Sequence, residues 1–288
     1  MATTPTQSVR TVSAKTQSIR IAPGFSDLHP DRWARRRRTQ AIVLGVATPI
    51  VLLLLWEVAA TLGWVDQRFF PSPTKIWSAA VGEVRSGELF TDTWATLYPL
   101  LVGLVVGFFA GCVLGFLMGL ARPLRLAFDP VLSALYTVPK LALLPLLLLM
   151  FGYGSVPKVV LIALGAFFII WISVQEAVVS IPVGYLETAR SFRINPFKTF
   201  FRVIFPKVLP DIFVSLRIAV GNAVLIAVGI EFVNGSEGLG YRIWNSWTLF
   251  IADKMYVGIV VVALLGYVLR LAVDLLRRVS IPWALDTK

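Results

Sequence analysis

Long apolar blocks separated by short polar segments dominate the pattern along this 288-residue chain. A helix needs about 20 consecutive apolar residues to cross the roughly 30 Å hydrocarbon core of a bilayer. Blocks of this order of length occur at residues 42–62, 96–120, 131–151, 157–180, 208–232 and 255–276. The pattern therefore predicts an all-α polytopic membrane protein with six transmembrane helices.

Polar segments flank this apolar region at both ends of the chain. Residues 1–40 are rich in Ser, Thr and Arg and lack an apolar core, which indicates a basic, disordered cytoplasmic tail. A transit peptide has a similar composition and is the alternative. We expect a membrane domain over residues 41–280 and a short cytoplasmic tail at 281–288.

The distribution of basic residues predicts the orientation. The arginine-rich segment 32–38 precedes the first span and should stay in the cytoplasm, because basic residues beside a span resist translocation. Six spans then return the C-terminus to the same side. The loops expected inside hold Arg122, Arg125, the basic stretch 190–207 and Arg277, which agrees with an N-in, C-in topology.

The composition narrows the chemistry that this chain can perform. Hydrophobic residues make up 57% and charged residues 15%, whereas soluble domains are about a quarter charged. The net charge of +11 does not favour nucleic acid, because no soluble region remains to present a basic face. With one His and one Cys, the usual zinc and Cys/His sites cannot form. The chain lacks a P-loop, so any ATP must bind another subunit.

The second span carries a glycine at every fourth position. Residues four apart share one helix face, and glycine there allows another helix backbone to approach closely. This pattern predicts tight helix packing, with a sliding, gating role as the alternative. The row comprises Gly103, Gly107, Gly111, Gly115 and Gly119.

Four residues within the spans are candidates for a translocation pathway. The third span is expected to begin after Pro130 and to be broken by Pro139 and again by Pro145. Broken backbone in a membrane should face protein or a cavity. A kink at the cytoplasmic end is the alternative. Arg217 and Asn222 lie in the fifth span and Glu231 near its end, where each contacts either a polar solute or another helix.

The segment 182–206 has the pattern of a helix, a turn and a second helix. Residues 185–193 favour a helix, Asn195-Pro196 favours a turn, and residues 197–205 form a second amphipathic helix, after which Pro206 and Pro210 mark the entry to the fifth span. A paired helix with aromatic and charged groups could dock a partner protein. An amphipathic loop lying on the membrane is the alternative.

This segment resembles the EAA loop of the permease subunits of bacterial ABC importers. The family pattern is Glu-Ala-Ala, three residues, Gly, nine residues and Ile-x-Leu-Pro. Here Glu187-Thr188-Ala189 begins the motif, Arg193 takes the glycine position, and Val203-Ile204-Phe205-Pro206 ends it. Further matches resemble the nitrate, sulfonate and taurine group, including Phe70-Pro71-Ser72-Pro73 and Gly238-Leu239-Gly240-Tyr241.

The resemblance implies a type I ABC importer permease in the bacterial inner membrane, with residues 182–206 as its coupling loop. Implied partners are two cytoplasmic ATPases that bind ATP and Mg, an external binding protein, and a second permease copy in a homodimer. The cargo would be a small, anionic, nitrate-, sulfonate- or taurine-like solute. The residues expected to dock the ATPases are Glu187, Ala189, Phe192, Arg193, Pro196 and Phe197.

Two other classes of function stay open from the residues alone. A secondary transporter or channel would need no ATPase, but it gives no account of the segment 182–206. An intramembrane enzyme would need catalytic groups that the sequence does not offer.

Within the segment 182–206, arginine disfavours the left-handed backbone that glycine permits, so the turn is expected to move from Arg193 to Ile194-Asn195. A partner groove altered to accept Arg193 is the alternative.

Overall fold

A computed structural model describes residues 30–282, and the remainder of both predicted tails lies outside the described residues. The helices are α1 (Pro30–Thr61), α2 (Pro73–Ser86), α3 (Glu88–Leu120), α4 (Arg122–Thr137), α5 (Leu144–Phe151), α6 (Ser155–Val179), α7 (Val183–Ser191), α8 (Pro196–Thr199), α9 (Phe205–Asn234), α10 (Leu239–Thr248) and α11 (Ala252–Ser280). A 3-10 turn, Lys140–Leu143, precedes α5, and a π-helical turn, Phe200–Ile204, joins α8 to α9. Helix α1 thus begins inside the predicted tail 1–40.

Five helical segments are long and apolar enough to cross a membrane, and they include 43–61 and 196–234. A sixth span forms if α4 and the segment 140–151 count together, although these two are bent by 89°. The all-helical fold is confirmed, and six spans are present when the bent pair is one span. The N-in orientation stays a prediction.

The structure differs from the predicted third span at two prolines, Pro130 and Pro145. Helix α4 begins at Arg122 and continues through Pro130, so it does not start after that residue. Val138 is extended before Pro139, and the break falls there because a proline disfavours helical backbone in the preceding residue. Pro145 lies in the first turn of α5, where its missing N–H costs nothing, so it begins a helix instead of breaking one.

Helix α6 lies at the centre of the core, with α3 and α9 packed against it. Its side chains Ile162, Ile170, Trp171 and Val174 are almost fully buried. The glycine row of α3 faces this helix. A Cβ added at Gly111 would stand 2.8 Å from the Phe167 carbonyl oxygen, closer than real Cβ contacts allow.

The other glycines of the row make similar approaches to α6. A Cβ at Gly103 would lie 2.8 Å from Ile162 Cβ, and one at Gly119 would lie 2.6 Å from Val178 Cβ. Burying these backbones against each other gives close dispersion contacts along the interface. The row therefore packs within this chain, against its own α6.

Helix α2 is fixed at its first turn by a carboxylate from the end of α1. The Thr74 amide donates to Glu57 Oε2 at 3.0 Å, where the partial positive charge of a helix N-terminus favours an anion. Ile76 is buried, but Trp77 is 73% exposed.

Candidate functional site

The predicted helix-turn-helix is present, with shifted boundaries. Helix α7 covers Val183–Ser191 instead of 185–193. The second helix is not separate from the fifth span, because α8, the π-helical turn and α9 form one continuous segment, 196–234. Pro206 lies in the first turn of α9, and the wider π-helical turn precedes it. The loop is therefore connected to the membrane-spanning part of α9 by an unbroken helix.

Arg193 adopts the left-handed backbone conformation, with φ of 50°. Around it, the Ile194 amide donates to the Ala189 carbonyl at 3.0 Å and the Arg193 amide to the Arg190 carbonyl at 2.8 Å. This pair of bonds is a Schellman motif, which normally places glycine at the left-handed position. The expectation that the turn moves to Ile194-Asn195 is thus wrong. The two hydrogen bonds hold Arg193 in a left-handed conformation that costs a non-glycine residue about 1 kcal/mol.

Asn195 serves the next helix instead. Its side-chain oxygen accepts a hydrogen bond from the Phe197 amide at 2.9 Å, and its backbone is extended. An asparagine at this N-cap position satisfies an otherwise unpaired amide at the start of α8. The turn is therefore defined by Arg193 at the end of α7 and by Asn195 at the start of α8.

The segment 182–206, predicted to be the coupling loop, presents an apolar surface to its surroundings. Phe192 is 74% exposed and Phe197 is 70% exposed, while Ala189 is buried. Glu187, Arg193 and Pro196 are exposed as well. A concave surface of about 530 Å³ is lined by Pro182, Gly184, Tyr185, Thr188, Ala189, Phe192, Ile194 and Val203.

The four pathway candidates lie in different surroundings. Pro139 is exposed at the bend after α4, and Asn222 is half-buried on α9. Arg217 faces α11, where its guanidinium lies 3.7 Å from Asp274. Glu231 is 14 residues further along the same helix, about 20 Å away at 1.5 Å per residue. Their role in a pathway stays a prediction.

Glu231 lies in a buried polar cluster at the end of α9. Its carboxylate is 3.2 Å from the Lys158 ammonium, and both side chains are almost fully buried. The Thr96 hydroxyl donates to it at 2.9 Å, and the Gly240 amide donates at 2.8 Å. The carboxylate thus sits at the N-terminus of α10, which favours its negative charge.

One signal for this cluster is present in the sequence, the segment Gly238-Leu239-Gly240. Gly238 has φ of 109°, and a Cβ at Gly240 would stand 2.7 Å from Glu231 Cβ. Both glycines are needed because α10 begins directly against the carboxylate. Lys158 and Thr96 were missed. They join Glu231 only through the fold, from 73 and 135 residues away.

An open cavity of about 610 Å³ adjoins this cluster, and Lys158 lines it. Its other walls carry aromatic and polar side chains. They come from α3, from the start of α6 and the turn before it, and from the end of α9 and the segment after it. They include Trp94, Tyr98, Tyr153, Ser155, Asn234 and Ser236. The cavity lies at the opposite end of α9 from the coupling loop.

A second ion-pair cluster, also missed, joins three helices at this end. Arg242 of α10 contacts Glu83 of α2 and Asp92 of α3, each at 2.6 Å. Glu88 lies 3.4 Å from the same guanidinium. Burial raises the pKa of the Glu83 carboxyl, although the nearby Arg242 and Lys254 oppose this. The arginine therefore compensates a carboxylate that is costly to bury.

The fold is that of a type I ABC importer permease. The chain superposes on a subunit of the MetNI methionine ABC transporter, solved in inward-facing conformations, with a TM-score of 0.60. The two share 22% identity, and the match covers 68% of this chain and 98% of that one. Residues 103–283 match the family described as "Binding-protein-dependent transport system inner membrane component". The chain belongs to this family.

Characterised and putative relatives agree with this assignment. The putative aliphatic sulfonates transport permease SsuC of Bacillus subtilis is 32% identical, over 86% of this chain and 90% of its own length. The taurine transport system permease TauC of Escherichia coli is 30% identical, over 88% of this chain and 92% of its own. This chain is accordingly the membrane permease subunit of an ABC importer, and the secondary-transporter alternative is not favoured.

Proposed function

We propose that this chain forms, as a homodimer, the path by which a small sulfonate or taurine-like anion enters a bacterial cell. Its membrane would be the inner membrane, with both termini and the coupling loop on the cytoplasmic side. The substrate class is supported by relatives named for aliphatic sulfonates and for taurine. Family membership implies ATPase and binding-protein partners. ATP and Mg would bind only to the ATPases.

The observation that carries the coupling part of this proposal is the exposed apolar surface of the loop. Phe192 and Phe197 leave most of their ring area uncovered, beside the concave surface over Ala189. Exposed apolar patches of this kind mark protein interfaces. The docking set would be Phe192 and Phe197 as anchors, with Glu187, Arg193 and Pro196 around them and Ala189 beneath.

The connection between the loop and α9 supplies a route for movement. The segment 196–234 is continuous, so displacement of the loop by an ATPase would carry α9 with it. Helix α9 packs on α6, where Gly165 of α6 lies directly against the Ile226 side chain of α9. ATP binding by the partners would thereby favour one of two arrangements of the membrane helices, through differential contacts with the loop.

The substrate proposal can be tested by transport in proteoliposomes. The full chain would be reconstituted with its ATPase and its binding protein, and uptake of labelled taurine, an alkanesulfonate and nitrate would be compared. We expect ATP-dependent uptake of the sulfonates, with nitrate transported at least tenfold more slowly. Equal or preferred uptake of nitrate, or ATP-dependent uptake of neither sulfonate, would contradict the proposed substrate class.

A further inference from the structure

A groove of about 530 Å³ lies between α9 and α11, away from the surface proposed to dock the ATPases, and it includes Arg217, one of the four pathway candidates. Most of its walls are apolar, including Val214, Ile218, Val224, Leu225 and Val262. One end of the groove is basic, near Phe213 and Arg277, and the other is wholly apolar. The basic end lies toward the coupling-loop end of α9.

The basic end holds more positive than negative charge. Arg217, Arg270 and Arg277 line it together with a single acid, Asp274. The guanidinium groups of Arg217 and Arg270 approach Asp274 only to 3.7 and 4.0 Å. The buried Nε of Arg277 has no hydrogen-bond partner in the part of the chain that the structure describes. Charged groups beside hydrocarbon need partners, so this end has capacity for an anionic oxygen ligand.

The whole groove, including its basic end, is slightly longer than one bilayer leaflet is deep. Phe213 to Leu225 spans 12 residues of α9, which is about 18 Å at 1.5 Å per residue. One leaflet contributes about 15 Å to the hydrocarbon core. Two glycines leave the groove open along this length. A Cβ at Gly221 would meet no atom within 4 Å, and one at Gly266 would only reach Val224 at 4.0 Å.

We propose that this groove binds an anionic phospholipid. Its phosphate would lie among Arg217, Arg270 and Arg277, and one acyl chain would follow the apolar walls past Gly221 and Gly266. Basic pockets between membrane helices are suited to anionic lipid headgroups. A small soluble anion has no tail to fill the apolar walls. Any other occupant, including a second permease copy, would have to supply both an anionic group for the basic end and an apolar segment for the walls, and an anionic phospholipid carries both in one molecule.

The charge requirement can be tested by native mass spectrometry of the purified full-length importer. The complex would be titrated with phosphatidylglycerol and, separately, with phosphatidylcholine of identical acyl chains. We expect wild type to bind one phosphatidylglycerol in preference to phosphatidylcholine. Each of Arg270→Gln and Arg277→Gln should weaken that preference about fivefold. Equal binding of the two lipids by wild type would overturn the proposal, as would unchanged preference in both variants.

The acyl-chain requirement has a matched pair of glycine variants. Gly221→Leu fills open space in the groove, while Gly82→Leu fills open space on α2, away from it. We expect Gly221→Leu to lose the bound lipid and Gly82→Leu to keep it, with both complexes intact. Loss of the permease dimer in Gly221→Leu alone would indicate a second copy as the occupant. Displacement of the lipid by millimolar inorganic phosphate or taurine would indicate a soluble-anion site. Either result overturns the lipid proposal.

Discussion

The two ends of α9 differ in whether the side chains around them find partners within this chain. At the α10 end, Glu231 and Arg242 are buried and each has several charged or hydrogen-bonding partners. At the coupling-loop end, Phe192 and Phe197 are exposed, and Arg193 holds a strained backbone. The first end has its partners within the chain, whereas the second lacks cover for its apolar groups. The comparison indicates a rigid, self-contained end and an end that is completed by another protein.

The largest expected effect comes from breaking the buried pair at the rigid end. Lys158→Ala leaves Glu231 buried without its counter-charge, and we expect the free energy of unfolding to fall by about 3–5 kcal/mol. Denaturation in detergent, followed by circular dichroism, measures this loss.

Two further variants sharpen that measurement. Replacing both charges, as in Lys158→Met with Glu231→Gln, should restore much of the stability, because no unpaired charge remains and the glutamine oxygen can still accept from Thr96 and Gly240. Arg68→Ala breaks a fully exposed pair with Asp66 and should leave the unfolding transition almost unchanged. A loss at Lys158 no greater than the loss at Arg68 would contradict the rigid-end interpretation.

An effect of intermediate size is expected at the glycine row of α3, which packs against α6. Gly111→Ala places a methyl group against the Phe167 carbonyl of α6 and should destabilise the protein by about 1–3 kcal/mol. Gly82→Ala adds the same group to open space on α2, where alanine should stabilise the helix by about 0.5–1 kcal/mol. Thermal unfolding of both variants should therefore give shifts of opposite sign, and shifts of the same sign would argue against close packing.

A smaller effect is expected in the coupling loop itself. Arg193→Gly should relieve the left-handed strain and stabilise α7 by up to about 1 kcal/mol. Arg190→Gly, inside the same helix, should destabilise it by about the same amount. Hydrogen exchange of the α7 amides, followed by mass spectrometry, compares the two. Faster exchange in Arg193→Gly than in wild type would show that the arginine conformation is not strained.

The sequence predicted the parts of this molecule that depend on local pattern. Apolar length predicted the helices, and the spacing from Glu187 to Pro206 predicted a helix pair. The break at Pro139 followed from proline geometry. Helix ends were less predictable, because Pro130 lies inside α4 and Pro206 lies in the first turn of α9, so neither proline ends a helix. The glycine row predicted a close helix contact, but the identity of its partner, α6, required the fold.

The parts that could not be predicted depend on contacts distant in sequence. Lys158 and Glu231 meet across 73 residues, and Arg242 reaches Asp92 across 150. The two members of each pair are too far apart in the sequence for a short-range pattern to identify them as partners. The conformation of Arg193 was mispredicted because backbone preference was weighed alone. The Schellman bonds from Arg193 and Ile194, with the cap at Asn195, outweigh that preference.

Binding of the partner ATPase to the loop tests the central claim most directly. The tagged permease would be isolated from native membranes as wild type, as Phe192→Ala and as Phe90→Ala. Phe90 is a matched control, because it is 77% exposed but lies at the start of α3, outside the loop. We predict that a P-loop ATPase copurifies with wild type and Phe90→Ala and that Phe192→Ala weakens its binding at least tenfold. Equal ATPase recovery with Phe192→Ala, or no ATPase with wild type, would contradict the assignment of residues 182–206 as the coupling loop.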